Sequence, residues 1–377
     1  MPAARARRRG ARGCLAAIVF SGLCSTGLAQ ESPTMEQAEG APPTGHSLLP
    51  GLTVGGYGTV QFLCPCGSRS TAAASVPGAG GGQEADAQFS RRARLDLSHL
   101  SGIAWWEPGP AWKILGEVDL QDIVQLPRHE DGEDGSDSSS YVALDRLYAD
   151  YRFSDSLTVR AGKFLTPIGR WNQEHSDPLV WTVLRPLLSE SAFPTSATGA
   201  MALGSLPVGQ RWIDYQLYVS GGGEWRANPH THRFEHGAGG RVSTELDTAL
   251  QLGASVSRFV EDADPATFDL AGVDATLDWK RLTLSGEAIV RRAEGGAGGV
   301  ERGWFLQSVV ALDEHWSGVA RLEAYRRAGE AATSRTGLVG AVYRSGRHWV
   351  FKVEWAQPGA QSAGLPAGLL SSLTLSY

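Results

Sequence analysis

Between Leu165 and Ala197 the chain reads "LTPIGRWNQEHSDPLVWTVLRPLLSESAFPTSA", a segment crowded with groups that can do chemistry on a solute. Arg170, Asn172, Gln173, Glu174, His175, Asp177 and Arg185 bring donors, acceptors and charges of both signs, while Leu179, Val180, Trp181, Val183 and Leu184 would be poorly solvated in water. The segment is too long for an ordinary hairpin connection. It is therefore expected to fold back, pack its apolar residues on a wall and turn its polar residues toward a water-filled space. Fixed charges of both signs across such a space make a transverse field that orders water and sorts solutes by size and charge. Glu174, His175 and Asp177 are metal-ligating types, but three polar residues in a wet lumen hydrate instead, so neither a metal nor a cofactor is expected.

A segment of that kind needs a frame, and the rest of the chain supplies its pattern. From Leu52 to Tyr377 about sixteen stretches of roughly ten residues carry apolar or aromatic side chains on alternate positions, without comparable helical windows between them. His348 to Ala356 sets Trp349, Phe351, Val353 and Trp355 against His348, Lys352 and Glu354. Val142 to Phe153 sets Leu147, Ala149, Tyr151 and Phe153 against Arg146, Tyr148, Asp150 and Arg152. Each strand alone would fit a soluble sandwich equally well. The count decides, because about sixteen strands of roughly ten residues match the number and span of a membrane barrel, and turns such as "SDS", "DT", "KR", "DE" and "SGR" alternate with longer polar stretches, as in an up-and-down sheet with one short-loop rim and one long-loop rim. The predicted fold class is all-β, a transmembrane antiparallel up-and-down β-barrel of about 16 strands over residues 51–377, with an inward-folded loop at about 165–197. Trp105, Trp106, Trp112, Trp279, Trp304, Trp316, Trp349 and Trp355 fall near strand ends and are expected in interfacial girdles. Facing the loop, the pore wall should carry Arg92, Arg94, Arg152, Arg160 and Arg321, either turned to solute or paired with acids such as Asp96, Asp150 and Glu323.

The first 29 residues are of another kind. A basic stretch, a short apolar run and Gly27-Leu28-Ala29 before Gln30 predict a cleaved signal peptide, the apolar run being well short of the roughly 20 residues a spanning helix needs. Cleavage would remove Arg5, Arg7, Arg8, Arg9 and Arg12 from a chain of formal charge −6, leaving −11, which argues against a nucleic-acid partner. Only Cys64 and Cys66 would remain, too few for a disulfide scaffold, so stability must come from a large core or a membrane. Residues 30–50 lack periodicity and read as a disordered periplasmic leader. The acidic stretch "HEDGEDGSD", His129 to Asp137, lacks the spacing and the bidentate Glu of a calcium loop and is expected to be an external loop bridged by divalent ions to lipopolysaccharide. The last strand, "LLSSLTLSY", ends on Tyr377 and resembles the C-terminal signal read by the barrel assembly machinery of the bacterial outer membrane.

The stretch "LTVRAGKFLTPIG", Leu157 to Gly169, resembles the phosphate-selective porin O and P family and related porins, in which a strand ending in Gly-Lys/Gln-Phe runs into Thr-Pro-Phe-Gly. "RWNQEHSDPLVWTVLRPL" continues as in a porin-like branch of outer-membrane proteins. The resemblance covers about thirty residues strongly and the remainder only as strand rhythm. It implies a sixteen-stranded, usually trimeric diffusion channel. Phosphate selectivity does not carry over: that family lines its constriction with several Lys, whereas here Ile168 replaces the Phe and Arg170 and Arg185 stand against Glu174, Asp177 and Glu190. The function expected is an outer-membrane porin and not an enzyme, since no G-x-S-x-G occurs and His129, His175, His230 and His232 have no obvious nucleophile partner. An outer-membrane barrel enzyme and a structural or adhesive barrel with an occluded lumen are the alternatives; outer-membrane lipid, lipopolysaccharide and two further copies in a homotrimer are the expected partners.

Overall fold

The computed structural model describes residues 45–64, 93–126, 140–295, 299–359, 362 and 367–377. The expected signal peptide, the leader to residue 44, Arg92, Cys66 and the acidic stretch His129–Asp137 lie outside them. The strands in chain order are β1 (Gly45–Leu49), β2 (Leu52–Cys64), β3 (Arg94–Gly109), β4 (Trp112–Leu126), β5 (Tyr141–Ser154), β6 (Leu157–Leu165), β7 (Ser196–Val208), β8 (Arg211–Ser220) and β9 (Phe234–Glu245). They continue as β10 (Leu250–Glu261), β11 (Asp264–Trp279), β12 (Leu282–Ala293), β13 (Val300–Ala311), β14 (Trp316–Arg326), β15 (Ser334–Ser345), β16 (Trp349–Pro358) and β17 (Gly368–Ser376). From β2 onward each strand pairs antiparallel with the next, and β17 pairs back onto β2, closing a sixteen-stranded barrel.

The seam is completed by two short pieces of chain. Tyr377 and Gly56 exchange two backbone hydrogen bonds of 3.0 Å, and the Tyr377 hydroxyl donates to the Ser101 carbonyl at 3.1 Å. A Cβ on Gly56 would run into the Ser101 carbonyl and the Tyr377 ring, so the seam requires glycine there. Where β17 ends, β1 takes over as the partner of β2, pairing Gly45 with Gly55. Residues Gly45–Leu49, near the end of the expected leader, thus form a strand. Cys64, the final residue of β2, is disulfide-bonded.

Alternation sorts the side chains as the pattern requires. Val256, Val273 and Leu322 point outward and are 62%, 60% and 60% exposed, whereas Arg241, Asp274, Glu287, Arg321, Lys352 and Glu354 are buried on the inner face. Moving each outward Val or Leu from water to an apolar surround is worth about 1.5–3 kcal/mol, so a continuous band of them is a surface built for an apolar medium. Trp106, Trp112, Trp279, Trp304, Trp316, Trp349 and Trp355 share that outer face. Trp105 does not: it packs against the inner cluster, because adjacent residues of a strand face opposite sides.

Three stretches that read as connections in the sequence, "SGIAWWEPGPA", "SLPVGQ" and "VEDADPAT", are largely strand. β3 runs on to Gly109, β7 to Val208, and β11 starts at Asp264, reducing each intervening link to two residues. Prolines caused the misreading, yet each sits where the ladder tolerates it. Pro108 and Pro265 lie at register shifts, and Pro207 lies past Leu203, the last residue of β7 paired to β6.

Candidate functional site

The connection from β6 to β7 enters the barrel. Its neck is a small knot: the Thr166 N–H donates to the Thr195 carbonyl at 2.9 Å, the Thr166 hydroxyl to Pro194 at 2.7 Å, and the Asn172 amide to both the Thr166 and Thr195 carbonyls at 2.8 and 2.9 Å. Pro167 ends the strand because it has no N–H for the ladder. Gly169 then turns the chain with φ +68°, and a Cβ there would strike the Glu287 carboxylate. Leu188, Ala192 and Phe193 on the returning limb bury themselves with Phe164, Ile168 and Met201.

Between these ends the loop backbone is stitched to charged side chains on the wall. Glu287 on β12 accepts from the Arg170 and Trp171 N–H groups at 2.8 and 2.6 Å, and Glu354 on β16 from Val183 and Leu184, both at 2.9 Å. Glu323 on β14 accepts from the Leu187 N–H at 2.9 Å. Cations hold the carbonyls: Arg344 donates to Pro178 and Leu179 at 2.5 and 3.0 Å, Lys352 to Asp177 at 2.7 Å, and Arg321 to Leu184 and Arg185 at 2.9 and 3.2 Å. Val183 and Leu184 pack near Leu63, Leu338 and Leu370, and Trp181 against four valines of β13–β16. Charge-assisted bonds to a backbone fix its path more firmly than neutral ones would.

Five of the seven expected loop residues reach the lumen. Arg170 pairs with Glu174 at 2.7 Å. His175 Nε2 lies 3.6 Å from Asp145 on β5, and Asp177 lies 3.3 Å from His99 on β3, so the loop also touches the opposite wall. Arg185 approaches the Trp171 ring at 5.8 Å and has no ion pair among the described residues. It lies within electrostatic reach of His99 and Tyr141. Asn172 and Gln173 are instead buried in the neck, Gln173 donating to the Gly169 carbonyl and accepting from Gln216, both at 3.0 Å. Burial pushes the Glu174 carboxyl above its ordinary range against the opposing pull of Arg170. Burial acts the same way on Asp177, but His99 and Lys352 overcome it and hold that carboxyl well below the ordinary range.

The wall arginines have less freedom. Arg160 is clamped by Asp150 at 2.8 and 3.0 Å and lies over the Tyr148 ring. Arg94 pairs with Asp96 at 2.5 Å. Arg152 is exposed at the β5–β6 turn with Asp155 at 2.6 Å, and Arg321 is covered by the loop. The anchors Glu287, Glu323, Arg344, Lys352 and Glu354 were visible only as inward charges, because their partners are main-chain atoms far away in sequence.

A second segment also turns inward. Residues 221–233, between β8 and β9, lay the Arg226 carbonyl against the Leu144 N–H at 2.9 Å and Glu224 against Lys163 at 2.7 Å. The Tyr141 hydroxyl meets Asn228 Oδ1 at 3.0 Å. Leu144 lies beyond Leu147, where the pairing of β5 with β6 ends, and is still paired with Val118 of β4 on its other edge.

No family model matches the chain. An uncharacterized protein of Aquifex aeolicus (strain VF5) is 30% identical over 139 residues, covering 32% of this chain and 31% of that protein, so the chain spans about a third of the length of the curated relative it matches. Among solved structures, the anion-selective porin from Comamonas acidovorans superposes with a TM-score of 0.54 at 12% identity, over 86% of this chain and 98% of that one. Salmonella typhi OmpF in complex with daunomycin gives 0.57 at 11%, over 86% and 97%, and in-vitro folded OmpT of Vibrio cholerae in its trimer form gives 0.51 at 9%, over 86% and 99%. At such identities the likeness is one of fold, and that fold is the closed sixteen-stranded antiparallel barrel of porins.

Proposed function

We propose that this chain is a diffusion channel of the bacterial outer membrane for small polar or charged solutes, with the inward loop as its selectivity element. The observation that carries the reading is the stitched path of residues 166–195 across the lumen of a closed barrel with an apolar outer face. A loop fixed by its backbone leaves side chains free to face solute, and Arg185, Arg170, Glu174, His175 and Asp177 are the constriction groups. Arg94, Arg152, Arg160 and Arg321 shape the wall through their pairings and are background charge.

Export through the N-terminal leader, recognition of the strand ending at Tyr377 by the barrel assembly machinery, and contact with lipid and lipopolysaccharide follow from the same reading. A homotrimer is proposed from the likeness to porin barrels. The stretch "GKFLTPIG" supports a relation to the phosphate-selective porin O and P family, but phosphate preference is not proposed, because the loop guanidinium groups stand among carboxylates. Planar-bilayer recording tests the proposal. Discrete conductance steps are expected, and Arg185→Ala should move the reversal potential toward cation preference. Silence with lipid hydrolysis would point to an enzyme, and silence without it to an occluded structural barrel.

A further inference from the structure

The loop leaves room on one side. Between Arg170–Trp181 and the inner face of β11–β15 lies a cavity of about 260 Å3. Apart from Lys280, exposed in the β11–β12 turn, its charged side chains are already engaged, Arg281 by the Leu312 carbonyl. Arg170 is held by Glu174, Asp274 by Arg241, Glu287 by two loop N–H groups and Arg344 by loop carbonyls. Away from that turn, the lining side chains without a hydrogen bond are neutral. Thr276 pairs in register with Ser285, and Ser285 with Gln307, so the three form one row on the inner face across β11, β12 and β13. None of the three side chains makes a hydrogen bond among the described residues. Gln307 is only 5% exposed and its amide oxygen has no partner, a costly state for a buried amide unless something else fills it. Trp171 and Trp181 form the loop side of the same space, and Phe305 adds a ring from the wall.

We infer that this cavity is a subsite for a neutral polyhydroxylated solute of monosaccharide size. Such a ring offers hydroxyls to the Thr276, Ser285 and Gln307 row and apolar C–H surface to the indoles. A charged solute at that row would be desolvated away from any free countercharge, the unpaired Lys280 standing out at the turn. The inference deepens the channel reading and rests on it: the site lies beside the constriction, on the path a permeating solute takes.

D-glucose is the probe, with indole and glycine as comparison solutes, applied to wild type, Gln307→Leu and Thr276→Val in planar bilayers. Circular dichroism and heat-modifiable migration check that each variant folds. Glucose should reduce the current saturably, and Gln307→Leu should weaken that block roughly tenfold at unchanged conductance, as loss of one buried polar partner predicts. A conducting channel that ignores glucose, that is blocked by indole or glycine alone, or that is blocked equally in all three proteins overturns the inference and leaves the channel reading standing. A folded protein that carries no current overturns the channel reading instead. Tryptophan fluorescence titrated with glucose then decides the site: saturation in wild type that weakens in Gln307→Leu supports it, and no saturable change removes it.

Discussion

Glu174 and Asp177 lie three residues apart on one loop and are held in opposite senses. Burial raises the Glu174 carboxyl against the pull of Arg170, while His99 and Lys352 outweigh burial at Asp177 and hold it low. As pH is lowered, Glu174 therefore gains a proton before Asp177 does, the loop loses one negative charge, and Arg170 loses its partner. The reversal potential should shift toward anions as that proton binds. In Glu174→Gln the shift should be smaller, with neutral-pH selectivity already moved toward that of acidified wild type; an identical pH response in both proteins would show that Glu174 does not face the ion path. The types of these residues could be read from the sequence, and so could their grouping on one long connection. Their individual states could not, because His99 and Lys352 approach from β3 and β16, each far from the loop along the chain.

The loop works as an element because its main chain is tied at spaced points to β12, β14, β15 and β16. Glu354→Ala would leave the Val183 and Leu184 N–H groups without acceptors, at a cost of about 1–3 kcal/mol for each that stays buried. The expected result is local release rather than barrel unfolding. Trypsin should cut after Arg170 several-fold faster than in wild type while heat-modifiable migration is retained; equal cutting rates would mean that the apolar contacts alone hold the loop. Sequence periodicity located the strands because an inner polar face and an outer apolar face must alternate along each of them. It underestimated β3, β7 and β11, whose prolines sit at bulges or beyond a neighbouring strand. It also gave no sign that residues 221–233 fold inward, since that contact forms where β5 has run past its pairing with β6.

At the scale of the molecule, a closed ladder satisfies the backbone, an apolar exterior suits lipid, and a charged interior holds a loop across the opening. Closure depends on the last residue meeting Gly56, a pairing that appears only in the folded seam. The loop therefore narrows a lumen that the barrel alone would leave wider. Replacing residues 171–185 with a short Gly-Ser link, while keeping the neck at Thr166 and Thr195, tests this directly in single-channel recordings. The account predicts a folded barrel whose conductance rises at least about twofold and which admits larger solutes; a folded barrel with unchanged conductance and solute cut-off would contradict it.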